Sequence, residues 1–205
     1  LRLRQALGDQ PLVAVKLDHG GNPAKSLPRA AEVALLRHLR SRGWRILLDR
    51  GFGAEELANS DALLGALGWN ACDLDDSGKG LGRPLDTLER DALTRMSVIR
   101  FHGSIAGWAA GVAACQLALS YDSVGHHLAA ALGIPVVVAF TGFQGAGFPI
   151  AWQPRGHAMV RLVTIPSALR DSPAHWRQVV DALPRPHFVS RSRILSTSVA
   201  AVSSR

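Results

Sequence analysis

The stretch YDSVGHHLAAALGIPVVVAFTGF, Tyr121 to Phe143, decides how the rest of the chain is read. An apolar run, Leu117 to Ser120, ends at Asp122-Ser123, and an Ala/Leu-rich segment of helical character follows at once. Gly133 and Ile134-Pro135 stop that segment, and the β-branched run Val136 to Val138 begins. The order is strand, tight turn, helix, strand. Ser123 is the natural N-cap, and the turn leaves the N–H groups of Val124, Gly125 and His126 at a helix start. Free donors and the positive end of a helix dipole make an anion site, and phosphate is the usual anion. Asp122 and His127 bracket it.

Outward from this segment the same alternation repeats. Strands are expected at Leu12 to Leu17, Arg45 to Leu48, Val98 to Phe101 and near Met159 to Ile165. Helices are expected at Arg29 to Arg42, Ala54 to Leu67, Thr87 to Ala92, Ser104 to Ala114 and near Pro173 to Leu183. In the first of these, Ala30, Val33, Ala34, Leu36 and Leu39 form the apolar stripe, and Gly43 ends it. Asp73 to Pro84 reads as a loop long enough to move, and a Gly-rich loop runs on to Gly156. Strands alternating with helices imply an α/β, Rossmann-like parallel sheet with helices on both faces. The expected division is a linker remnant over 1–11, one domain over 12–184 and a flexible tail over 185–205. Because the chain opens on Leu1 rather than Met, it reads as a piece of a longer protein.

Composition narrows the function. Net charge is +7, carried by scattered arginines, with only three lysines, Lys16, Lys25 and Lys79. No aromatic-rich strand accompanies them, so no nucleic-acid partner is expected. Cys72 and Cys115 have no metal spacing; Cys115 sits in an apolar run and reads as core, and the chain as cytoplasmic. The weakly polar run Ile105 to Leu119 is short for a bilayer and reads as a buried helix running into a strand.

Ligands of parallel sheets sit outside the carboxyl ends of the strands. The loop DHGGNPAKSLP places Asn22 and Lys25 there, Lys25 being either a surface lysine or one that reaches a phosphate. The loop after Asp49 opens a helix with Glu55-Glu56, which either answer the helix dipole or grip a ribose or base. DSGKGLG, Asp76 to Gly82, is not a P-loop: Asp73 stands where the first glycine belongs, and no Ser or Thr follows Lys79. The adjacent His126 and His127 point in different directions on a helix, so no metal site is expected. Ser123 four residues before His127 is better read as a cap than as a nucleophile.

Asp122-Ser123, His127, Ala129-Ala130, Gly133 and Pro135 resemble the nucleotide-sugar motif of glycosyltransferase family 9, the bacterial heptosyltransferase-like enzymes. NPAKSLP agrees, since the family carries a lysine shortly before a proline in this loop, and the acids at Glu55 and Glu56 match its nucleoside-facing loop. The resemblance covers roughly Leu12 to Leu183. Val124 departs from it, standing where the family has glycine; a β-branched residue resists positive φ, so the turn is built differently. The resemblance implies the C-terminal, donor-binding half of a two-domain GT-B enzyme of lipopolysaccharide biosynthesis, with no cofactor and a nucleotide sugar such as ADP-heptose as substrate. It implies inverting transfer to a glycan or lipid-linked acceptor held by a missing N-terminal domain, so that this fragment binds without turning over. Lys25 and His127 would stabilise the leaving diphosphate; Asn22, Glu55, Glu56, Asp122, Ser123, Val124, Gly125 and His126 would line the donor site. The location implied is the cytoplasm, compatible with peripheral association at the inner face of the membrane. Rival readings are a non-catalytic flavodoxin-like nucleotide module and a sugar-nucleotide epimerase of GT-B architecture.

Overall fold

The computed structural model describes residues 2–18, 20–76, 93, 95–143, 145 and 147–186. The helix expected over Thr87–Ala92, the DSGKGLG segment beyond Asp76 and the tail from 187 onward lie outside them.

Seven strands form one parallel sheet: β1 (Leu12–Lys16), β2 (Arg45–Asp49), β3 (Ala71–Asp75), β4 (Val98–His102), β5 (Leu117–Tyr121), β6 (Val136–Phe140) and β7 (Val160–Thr164). Their spatial order is β3-β4-β2-β1-β5-β6-β7. The helices are α1 (Arg2–Leu7), α2 (Arg29–Ser41), α3 (Ala54–Leu67), α4 (Ile105–Ala113), α5 (Val124–Ala131), α6 (Phe148–Ala151) and α7 (Pro173–Ala182). β1 is buried along its whole length, as a strand covered on both faces must be. Its residues alternate between two cores: Val13 and Val15 pack with Leu35, Leu39, Leu63 and Val179, while Leu12 and Ala14 pack with Leu7, Trp108, Val112 and Ala129. The expected α/β Rossmann-like fold is therefore the one observed.

Four local expectations are corrected. Residues 2–7 are not linker but helix, and Leu3 and Leu7 are buried in the second core. Ala71–Asp75 is an edge strand rather than part of a loop, with Asp73 answered by Arg100 of β4. The loop toward Gly156 contains α6. On α2 the buried set is Ala31, Glu32, Leu35, Leu36 and Leu39, and Ala30 is exposed. That stripe is turned because Leu35 fills the core and Glu32 has a buried partner in Tyr121.

The chain order reverses between β1 and β5: β2, β4 and β3 lie to one side of β1, and β5, β6 and β7 to the other. At such a switch point two loops diverge from neighbouring strand ends and leave a crevice. The loop after β6 closes over it. Gly142, at φ +67°, comes so near the β1 loop that an added Cβ would lie 2.2 Å from the carbonyl oxygen of Ala24. Both the backbone angle and the contact exclude a side chain. Gly142→Ala is expected to cost roughly 2 kcal/mol or more, seen as a lower urea midpoint at constant slope; an unchanged midpoint would contradict this packing.

Candidate functional site

Lys25, Asp122 and the start of α5 meet at the switch point. Lys25 ends the short 3-10 turn Pro23–Lys25, which Asn22 caps by accepting the Ala24 N–H on Oδ1 at 3.1 Å. The Lys25 ammonium stands 2.7 Å from Asp122 Oδ2, with Asp122 buried and Lys25 half-buried. Asp122 follows directly on β5, so the pair joins segments about a hundred residues apart in sequence through the adjacency of β1 and β5.

Ser123 caps α5 as expected, its Oγ accepting the Gly125 N–H at 3.3 Å and serving the N–H of His126 as well. Two of the three N–H groups expected to be free are thus already answered. Val124 begins the helix, and among the described residues no non-glycine has positive φ, so the turn needs no glycine at that position. Gly125 matters instead: a Cβ there would lie 2.7 Å from Lys16 Cδ. The side chain of His126 is fully buried, and its Nδ1 accepts the Ser123 N–H at 3.2 Å. Nδ1 also lies 3.1 Å from the Tyr121 carbonyl oxygen and Nε2 3.4 Å from that of Trp152, so backbone holds the ring on both sides whichever nitrogen carries the proton. Burial, then the neighbouring His127, lowers its pKa and keeps it neutral. His126 shapes the turn from inside. His127 is half-buried one position later, its ring 6.4 Å from that of Trp152.

Glu55 and Glu56 do not join this group. They open α3 beyond β2, two strands from β5 and so about 10 Å away at the usual strand spacing. Glu55 is exposed, while Glu56 Oε2 accepts the N–H groups of Phe52 at 2.7 Å and Gly53 at 3.4 Å. Between the two places lies a cleft of about 170 Å³ lined by Asp18, Ser26, Arg29, Glu32, Asp49 and Glu56, among others.

Sequence reasoning did not single out the polar groups beneath this cleft. Lys16 ends β1 and is paired with both Asp18 and Asp49. Burial opposes its charge, but the two carboxylates outweigh burial and raise its pKa. Glu32, buried on α2, accepts from Arg29 at 2.7 Å and from the Tyr121 hydroxyl at 3.0 Å. Burial pushes its carboxyl up to about 7 against the pull of Arg29. The one available signal was the interruption of apolar patterns by charge, a lysine closing a buried strand and a glutamate inside a helix stripe. Among the described residues no cluster of His, Cys, Asp and Glu is arranged to hold a metal ion, and no helix is long and apolar enough to cross a membrane.

No protein-family model and no curated protein matches the chain. Solved structures do. The E. coli heptosyltransferase WaaC with ADP superposes at TM-score 0.56 and 19% identity, over 85% of this chain and 44% of that one. The E. coli ADP-heptose lps heptosyltransferase II gives 0.56 and 17%, over 85% and 45%. WaaC with ADP-2-deoxy-2-fluoro heptose gives 0.53 and 18%, over 88% and 45%. The chain spans less than half the length of these proteins. At such identities the likeness is one of fold, and that fold is the heptosyltransferase-like GT-B fold.

Glu32 makes stability depend on pH. Its carboxyl titrates at about 7 in the folded chain against 4.5 unfolded, so the folded state holds the extra proton between those values. Stability should therefore fall as pH rises through that window and level off above it, by up to about 3 kcal/mol from this group. Urea unfolding across the window checks this; Glu32→Gln should flatten the slope, and equal slopes in both proteins would refute it.

Proposed function

We propose that this chain is the donor-binding part of an inverting glycosyltransferase and holds the diphosphate of a nucleotide sugar at the switch point. The observation that carries the reading is the Lys25–Asp122 pair set at the N-terminus of α5. A half-buried ammonium held by one carboxylate beside a positive helix end is a cation ready to exchange partners. An arriving diphosphate takes the ammonium, and Asp122 turns to a sugar hydroxyl or the turn itself. From there the nucleoside extends over β1 toward β2, where Asp18, Asp49 and Glu56 offer acceptors for ribose hydroxyls.

In the reaction, an acceptor hydroxyl loses its proton to a carboxylate supplied by an acceptor-binding partner domain and attacks the anomeric carbon. The bond from that carbon to the phosphate oxygen breaks, and the diphosphate leaves with its electron pair. Lys25 and the α5 dipole stabilise the charge that builds on it, and His127 donates to a phosphate or sugar oxygen. The acceptor is a glycan or a lipid-linked saccharide, and the donor is ADP-heptose or a close analogue. The likeness of fold supports a glycosyltransferase-type reading; the donor choice follows the sequence motif.

Calorimetry with ADP, ADP-heptose and UDP-sugars tests it. Saturable binding that prefers a sugar nucleotide, weakened at least tenfold by Lys25→Ala, is expected from the loss of one charge-assisted contact. Binding of free nucleotides with no regard for the sugar would favour a non-catalytic module. Absence of any nucleotide binding would sink the proposal.

A further inference from the structure

The pair at the switch point is held in place by a third group. We infer that Tyr121 is a positioning residue for Lys25, tying the loop after β1 to the end of β5, and that ionised Glu32 maintains the tie. The inference rests on the diphosphate reading above and adds a control on that same site.

Tyr121 is fully buried and stands immediately before Asp122. Its hydroxyl oxygen accepts the Leu27 N–H at 3.1 Å, and its O–H donates to Glu32 Oε1 at 3.0 Å. Leu27 is two residues beyond Lys25 and is itself buried. Among the described residues, this bond and the Lys25–Asp122 ion pair are the two polar links between that loop and the end of β5. The first is buried and directional, and the second half-exposed. When the Lys25 ammonium leaves Asp122 for a phosphate, the Tyr121 link is the polar tie that still joins the loop to the end of β5.

The relay has a required direction. Tyr121 can accept from Leu27 and still satisfy its own proton only if Glu32 accepts that proton. Glu32 Oε2 faces the Arg29 guanidinium at 2.7 Å, so an added proton goes to Oε1, on the tyrosine side. Two donors then converge on the tyrosine oxygen, and its own O–H is left buried without an acceptor. The charged groups that line the cleft with Glu32 are Arg29 from its own helix, Asp18 from the β1 loop, Asp49 and Arg50 from the end of β2, and Glu56 from α3; of these Arg29 touches it. Lys16 stands behind the two aspartates. The Tyr121 hydroxyl, pushed well above its ordinary pKa by burial and then by Glu32, stays protonated throughout. Folding favours the neutral carboxyl at Glu32, whereas the site favours the ionised one, and the carboxyl changes state near neutrality.

The test uses the 205-residue chain, ADP as probe, and the variants Glu32→Gln and Tyr121→Phe, both nearly isosteric. From about pH 8 to about pH 6 the wild-type affinity should fall about tenfold more than that of Glu32→Gln. Tyr121→Phe should bind more weakly at every pH, with a profile parallel to that of Glu32→Gln. A ligand-free readout accompanies these: the exchange protection of the Leu27 amide should fall over the same range in wild type, show no such pH dependence in Glu32→Gln and be lost in Tyr121→Phe. Parallel profiles for wild type and Glu32→Gln, or an unaltered Leu27 amide in Tyr121→Phe, overturn the inference. Should the wild type bind no ADP, the diphosphate reading fails by itself, and the Leu27 amide still decides whether the tie exists.

Discussion

The register of β1 against β5, with Val13 opposite Leu117 and Lys16 opposite Ser120, governs what this molecule can present to a ligand. Parallel strands end together, so that pairing brings the loop after β1 and the turn after β5 to one rim. Because the sheet grows outward in opposite directions from the two strands, their loops part and leave room between them. Lys25 and Asp122 meet in that room; so do Leu27 and Tyr121. A slip of one residue in either strand would exchange its two faces, sending Val13 and Val15 into the wrong core and the rim residues out of reach.

Charge is distributed in the same spirit. The two described lysines lie at this rim, and each has carboxylate partners: Lys25 has Asp122, and Lys16 has Asp18 and Asp49. Away from it, Arg100 on β4 is clasped by Asp73 and Asp61. Buried ion pairs contribute little net stability, since removing both ions from water offsets most of their attraction. Their effect is geometric. Each fixes a side chain that a purely apolar contact would leave free to rotate, and in the pairs at the rim one member faces the cleft or the crevice.

Much of this was legible in the residues. Helix α3 runs over Ala54–Leu67, the span its periodicity predicts, and the strand–turn–helix–strand order around Asp122 is the one observed. Such features are local, and local propensity carries them. The edge strand β3 was hidden because its acids, Asp73 and Asp75, break the apolar pattern of Ala71–Asp75, and the partner that justifies Asp73 lies on another strand. Glu32 and Tyr121 were hidden for the same reason: they are 89 residues apart and only the fold introduces them. Val124 shows the converse. Set beside the family motif it is a departure, yet as the first residue of a helix it needs nothing but ordinary α-helical angles.

Gly142 against the carbonyl oxygen of Ala24 is a contact of bare backbone on backbone. Loops that touch this way cannot drift independently over evolutionary time. A new side chain, or a residue gained or lost, in the segment after β6 displaces the segment after β1 and with it the ammonium of Lys25. Descendants that change ligand preference should therefore alter these rim segments together, while the strands below stay as they are. Seen as a lineage rather than a single molecule, the rim behaves as one inherited unit.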